Sequence, residues 1–240
     1  MFDYTRTPYR RTSLVIAERV AVDLQSDEPL ALVSVESFSV ESFSVENLWG
    51  PGQLLGLVGP PGLGMTRVAV TQLAAIPGPL SWVEPPTRAS WFSPAIGWES
   101  GIEPDRLVVV RSSDIAGWAE ATATLMDGMA AVCADVPARV PEAMLRRLAA
   151  RARARRARLV LRSRDPLPTG IAHTVITGEA VEWVGTGQGR GRLLHRRLVA
   201  TAHGKGVKGP ALELGFEDDG TNFVCVVSGL GATAPGRATG

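Results

Sequence analysis

Apolar residues along this chain come in short blocks that switch between two periods. Gln53-Leu54-Leu55-Gly56-Leu57-Val58 is an almost unbroken apolar run, which predicts a buried strand. Arg67-Val68-Ala69-Val70-Thr71-Gln72-Leu73-Ala74-Ala75 has helical spacing, and Pro77-Gly78-Pro79 breaks the chain after it. Leu80–Glu84 reads as a second strand, residues 90–104 as irregular, and Leu107-Val108-Val109-Val110 as a strand covered on both faces. A helix from about Ile115 to Gly128, a strand over Ala130–Asp135, a helix from Pro141 to near Arg158 and a strand over Arg158–Arg162 follow. Strands alternating with helices at this spacing require right-handed crossovers and a parallel sheet with helices on both faces. From His173 the pattern changes to short strands (173–184, 192–202, 211–216, 222–228) between glycine-rich turns, an antiparallel extension. Ahead of the first strand, residues 13–24 have the spacing of a short amphipathic helix with Ser13 as its N-cap. The pentapeptide Val35-Glu36-Ser37-Phe38-Ser39 is repeated from Val40 and begins again at Val45, too short a unit for a solenoid, so it reads as a duplicated connector or arm. The expected organisation is an arm over 1–49, an α/β core over 50–228 and a tail over 229–240.

The junction of the first strand and helix carries the most specific chemistry. Gly59-Pro60-Pro61-Gly62-Leu63-Gly64-Met65-Thr66 fits the phosphate-loop pattern G-x-x-x-x-G-K-S/T at Gly59, Gly64 and Thr66, with Gly62 inside the loop and Met65 where the lysine belongs. In a working loop the backbone N–H groups wrap phosphates at the positive end of the helix dipole, lysine reaches the outer phosphates and the hydroxyl holds magnesium. Methionine has comparable length and no charge. ATP and magnesium binding are therefore expected to be weak at best, and hydrolysis absent.

Composition adds a soluble globular character: 45% hydrophobic and 20% charged residues in 240, with a net charge of +1. Affinity for an acidic partner must then come from clustering, and one cluster stands out. Between Arg139 and Arg164 there are ten arginines (139, 146, 147, 151, 153, 155, 156, 158, 162 and 164) and one acid, Glu142. Arg146, Arg147, Arg151, Arg153, Arg155 and Arg156 can neutralise phosphates of DNA or an acidic stretch of a partner. The bland alternative is the solvated face of an amphipathic helix whose stripe is Leu145, Leu148, Ala149 and Ala152. Cys133 and Cys225 lie in apolar runs without metal-ligand neighbours and read as buried free thiols, and His173, His195 and His203 are scattered. No metal site, no leader and no membrane span is expected, which points to the cytoplasm.

With these elements in order, the layout resembles the RecA recombinase core, and more closely the ImuA-type accessory proteins of bacterial damage-induced mutagenesis cassettes. The stretches that carry the resemblance are Asp105–Arg111 with Trp118, the arginine-rich helix with Leu159-Val160-Leu161-Arg162, and Arg196–Gly206 with Leu212-Glu213-Leu214, within roughly 50–216. The resemblance implies a RecA-like P-loop core, mostly parallel, with an antiparallel C-terminal extension. It places Asp135 at the Walker B aspartate, where a strand-end aspartate capping the next turn is the alternative. Glu84 falls near the carboxylate that activates water, and Lys205 and Lys208 match paired lysines that reach a neighbouring protomer's nucleotide, or are exposed loop charges. It further implies a non-catalytic adaptor in SOS mutagenesis, nucleoid-associated when induced. Its partners are an inactive Y-family-like polymerase subunit (ImuB type) and an error-prone C-family polymerase. Two rivals stay open: an ATPase whose missing charge comes from Arg67 or from a second subunit's lysine, and a DNA-binding or cell-division regulatory module.

Overall fold

The apolar runs become strands, and in the central ones alternate residues serve two different cores. In the computed structural model, which describes residues 48–87, 92–185, 194–207, 209, 211–220 and 223–227, the elements are β1 (Leu54–Val58), α1 (Met65–Ala74), β2 (Leu80–Glu84), α2 (Pro94–Glu99), β3 (Leu107–Arg111), α3 (Ile115–Leu125), β4 (Ala131–Asp135), α4 (Glu142–Arg155), β5 (Arg158–Ser163), β6 (Thr174–Val184), β7 (His195–Gly204), β8 (Leu212–Asp218) and β9 (Phe223–Val227). The helix read over 13–24, the repeat at 35–46, Trp91, Lys208 and the tail over 229–240 lie outside the described residues.

Among the described residues the strands form one sheet in the order β3-β2-β4-β5-β1-β6-β7-β8-β9. Every pairing from β3 to β6 is parallel. Every pairing from β6 to β9 is antiparallel. The protein is thus α/β, with a mostly parallel sheet, flanking helices and antiparallel C-terminal strands. Leu55, Leu57, Cys133 and Val160 point to the face covered by α1, where Val68, Val70 and Leu73 meet them. Leu54, Val132, Ala134, Leu159 and Leu161 point to the opposite face, against Trp118, Leu145, Leu148 and Ala152 of α3 and α4. This period-2 division, with both faces buried, is why β1, β4 and β5 read as continuous apolar runs. The run Leu107–Val110, expected to be covered on both faces, instead forms the edge strand β3, where Val108 is 43% exposed.

Three further expectations change. The stretch read as irregular contains α2, with Pro94 in its first turn, followed by a single 3-10 turn over Pro104–Arg106. Gly97 lets α2 pack closely on β3, since a Cβ there would lie 2.9 Å from Leu107 Cδ2. Helix α4 stops at Arg155 instead of near Arg158, since Arg156 turns left-handed (φ 54°) and the Ala157 amide returns to the Ala152 carbonyl. Strand β6, expected as the first antiparallel strand, pairs in parallel with β1 on one edge and antiparallel with β7 on the other. It is the hinge between the two sheet patterns.

Candidate functional site

The glycine loop stands at the carboxyl end of β1, the end at which open α/β sheets leave a crevice. The Gly59 amide donates to the Ser163 carbonyl of β5 at 3.0 Å, fixing the start of the loop. Gly62 and Gly64 take φ values of 96° and 86°, left-handed conformations that a side chain would strain. The Gly64 carbonyl accepts from the amides of Arg67 and Val68 as α1 begins. Among the described residues the amides of Gly62 through Thr66 have no backbone acceptor, so the loop presents a row of donors at a helix N-terminus.

Met65 does not project into this crevice. It is buried, with Cε 3.0 Å from where a Cβ on Gly178 would stand and Cγ 3.3 Å from the same point on Gly59. Gly178 adjoins the bulge of β6, so the absent side chain there makes the slot that the thioether fills. The residue in the lysine's place is therefore a core residue.

Both carboxylates that the resemblance singled out are closed by arginines. Asp135 ends β4 and is in register with Arg162 of β5, the strand that lies between β4 and the loop strand β1. Arg162 Nε and Nη2 donate to Asp135 Oδ1 and Oδ2, each at 2.5 Å, and Trp82 Nε1 donates to Oδ2 at 3.4 Å. The guanidinium lies 5.7 Å from the centre of the Trp82 ring, which stacks on Phe92 at 4.1 Å. Burial pushes the Asp135 carboxyl above its ordinary range, and the hydrogen bonds and charge of Arg162 pull it only part of the way back. Burial works to lower Arg162 in turn, yet its bonds to Asp135 leave it raised. Magnesium at Asp135 would have to displace a bidentate guanidinium. Glu84, also buried, accepts from the Phe92 amide at 2.5 Å and from Arg111 Nε at 2.6 Å. Its carboxylate is tied at both oxygens.

Arg162 and Arg111 were visible in the sequence, both in stretches that carry the resemblance and the first also in the arginine cluster, but neither as the partner of a carboxylate. A signal for their role existed: parallel strands that end in opposite charges after apolar runs bring those charges together when the register matches. Cys133, two residues before Asp135, is buried, and its thiol is pushed well above the usual value. Burial raises Cys225 to about 12. Both are free thiols with structural surroundings, as expected.

On the other side of the loop a cleft of about 330 Å³ is bordered by Gly62, Gly64, Thr66, Arg67, Arg196 and Asp218. Arg67, one candidate for replacing the lysine's charge, is buried; its Nη1 donates to Ser100 Oγ at 2.8 Å. Its Nε stands 3.9 Å from Asp218 and has no hydrogen-bond partner among the described residues. Arg196 of β7 donates through Nε and Nη2 to Asp218 Oδ2 at 3.0 and 2.7 Å. Its Nη1 comes within 3.5 Å of the point where a Cβ on Gly64 would stand. Sequence reading held Arg196 only within a stretch that carries the resemblance and did not bring it to the loop, more than a hundred residues before it. Lys205 is exposed, and its amide bonds to the His173 carbonyl just before β6, at the end of the sheet opposite its own chain's loop.

The arginine helix is amphipathic as expected, with Leu145, Leu148, Ala149 and Ala152 buried. Half of its named arginines are engaged locally. Arg146 Nε donates to Glu142 at 2.8 Å, and Arg151 and Arg155 both pair with Asp127. Arg147, Arg153 and Arg156 are exposed and in no ion pair among the described residues.

Among the described residues no group of three or more His, Cys, Asp or Glu could hold a metal ion, and no helix is long and apolar enough to cross a membrane. Comparison with curated proteins finds no match. A family model described as the MT3502 N-terminal domain matches residues 92–168. The matched stretch runs from just before α2 to just beyond β5; it takes in Asp135, Arg162 and all of α4, and leaves out the glycine loop and strands β6–β9.

Proposed function

We propose that this protein is a non-hydrolysing adaptor with a RecA-like core that joins translesion polymerase subunits in damage-induced mutagenesis. The observation that carries the non-hydrolysing part is the closure of Asp135 by Arg162 and of Glu84 by Arg111, beside a loop whose lysine position is a buried methionine. Transfer of a γ-phosphoryl group depends on a cation at the phosphates and a positioned carboxylate. Here the positions that would supply them are spent on internal contacts. The polymerase setting is supported by the order of the stretches resembling ImuA-type proteins. On that reading the partners are an inactive Y-family-like polymerase subunit and an error-prone C-family polymerase. The exposed Arg147, Arg153 and Arg156 favour contact with DNA or with an acidic segment of one partner as a second task.

The test is mutation frequency after ultraviolet exposure, with protein abundance controlled. Thr66→Ala removes the hydroxyl that would hold magnesium and touches no hydrogen bond within the described residues; it should leave induced mutagenesis within about twofold of wild type, since surface changes without partners cost about 0.5 kcal/mol or less. Deleting residues 192–240 removes β7–β9 and should abolish both mutagenesis and co-purification with the inactive polymerase subunit. Loss of mutagenesis in Thr66→Ala at normal abundance would contradict the adaptor reading. Gly64→Ala is unsuitable for this purpose, because φ at Gly64 is 86° and any side chain is strained there.

A further inference from the structure

We propose that the acidic partner of α4 is a second copy of this chain. Two copies pair about a two-fold axis, each laying its α4 on the uncovered face of the other's C-terminal strands. Strand parity defines that face. Leu198, Ala200, Ala202, Leu214 and Phe216 point into the core that α1 covers, so the residues between them point the other way. The core under α3 and α4 ends at Ala172 and takes no residue from β6–β9, so among the described residues no helix covers the other face. Antiparallel strands commonly leave one face to solvent. This one carries Glu179, Glu182, Glu213 and Glu217 against Arg197. Arg197 pairs with Glu217 at 3.4 Å, and Thr201 donates to Glu179. Glu182 and Glu213 are left exposed and in no ion pair among the described residues.

Helix α4 is the positive counterpart. Arg151 and Arg155 turn to Asp127 on the α3 side, which leaves Arg147 and Arg153 exposed and unpaired among the described residues. The outermost line of the helix, at spacings of four, three and four, is Ala143, Arg147, Ala150 and Ala154, all exposed. Short side chains along that line let a sheet approach closely while the arginines reach past them. The dimensions agree as well. Fourteen residues make a helix about 21 Å long, and Glu182 and Glu213 lie two strand spacings across and four residues along, about 17 Å apart. Helix α4 covers β1 and β5, and β6 is the next strand, so the two charged surfaces stand side by side. Neighbouring patches of opposite charge complement themselves under a two-fold rotation: both contacts form at once and the assembly closes at two. A polyanion such as DNA lying on α4 would instead run beside the glutamates of β6–β8, whereas a second copy neutralises both faces. The pairing rests on the reading that α4 meets something acidic, and it is independent of the polymerase setting.

Sedimentation velocity of the full-length protein over a concentration series tests the pairing. A monomer–dimer equilibrium is expected, and it should weaken as sodium chloride rises from about 0.05 to about 0.5 M, because exposed charges are screened. Arg147→Glu with Arg153→Glu should weaken self-association about tenfold or more, and so should Glu182→Arg with Glu213→Arg, since each sets like charges against each other. Mixing the two reversed proteins should restore a one-to-one dimer, because every reversed face then meets its opposite. Misfolding cannot imitate that recovery. Monomer alone at concentrations up to about 0.1 mM in low salt, assembly that grows beyond two, or no recovery on mixing would each overturn the pairing. Fluorescence anisotropy with duplex DNA separates its failure from that of the α4 reading. DNA binding that is lost in Arg147→Glu with Arg153→Glu, in a chain that stays monomeric, would keep α4 as a binding face and overturn the second copy as its partner.

Discussion

The crevice at the carboxyl ends of the strands and the outer face of α4 are both rich in arginine, and they use it in opposite ways. In the crevice, Arg162 turns inward onto Asp135 and is sequestered against Trp82, while Arg111, itself largely exposed, reaches the buried Glu84 from the end of β3. On α4, Arg147, Arg153 and Arg156 reach solvent, and those that pair do so with surface acids such as Glu142 and Asp127. A buried pair cannot lose one member without leaving an isolated charge, whereas an exposed pair contributes about 0–1 kcal/mol and rearranges freely. Arginine that closes a carboxylate removes chemistry from a site. Arginine that stays exposed leaves binding available. The carboxylates that the resemblance places at a catalytic site are tied up by arginines, and the exposed arginines stand on α4.

The comparison is sharpest at Asp135. Asp135→Ala should destabilise the protein by about 3–5 kcal/mol, because Arg162 is left without its carboxylate. Thermal unfolding measures this directly. An aspartate free to bind magnesium would instead be replaced at little cost to the fold, so a change under about 1 kcal/mol would break the distinction between the two regions.

A smaller effect on stability, with a larger one on binding, is expected on α4. Arg147→Glu, Arg153→Glu and Arg156→Glu together should leave the unfolding transition within about 0.5 kcal/mol per substitution. They should also weaken binding to DNA and flatten its dependence on salt by about 0.9 in log–log slope per lost phosphate contact. Fluorescence anisotropy over a salt series reports both quantities. Identical affinity and slope in the triple variant would reduce the helix to a solvated face.

The smallest expected effect lies at the opposite end of the sheet. Burial, helped by the nearby Lys205 charge, lowers His173 below its ordinary value of 6.5. The unfolded chain therefore binds the proton first as pH falls. Stability present above pH 6.5 should decline between that value and the lower folded one. Lys205→Gln should soften the decline without removing it, since burial is the larger cause. Urea unfolding midpoints at a series of pH values, for both proteins, decide the matter.

The architecture was legible where one signal sufficed. Apolar runs such as Leu107–Val110 and Leu159–Leu161 announced parallel strands, and the glycine spacing announced the loop. Elements that depend on tertiary support were hidden. The six residues of α2 are too few to display a period, and α4 ends at Arg156 without a glycine to mark the turn. The site was legible only as a list of residue types. That Asp135 and Arg162, 27 residues apart, form a pair follows from strand register. That Arg196 faces Gly64 follows from the order of strands beyond β1. Neither relation is written in local pattern.

Restoring the missing lysine tests the central claim most directly. Met65→Lys puts the absent amine on the loop, where it must leave the slot beside Gly178 to reach the crevice, and it leaves Asp135 and Glu84 with their arginines. Steady-state phosphate release from magnesium-ATP should remain at the background of the unaltered protein in Met65→Lys, with circular dichroism confirming that the variant is folded. Magnesium-dependent turnover in Met65→Lys that disappears on adding Asp135→Asn would show that Asp135 is available to a metal after all, and would contradict the account.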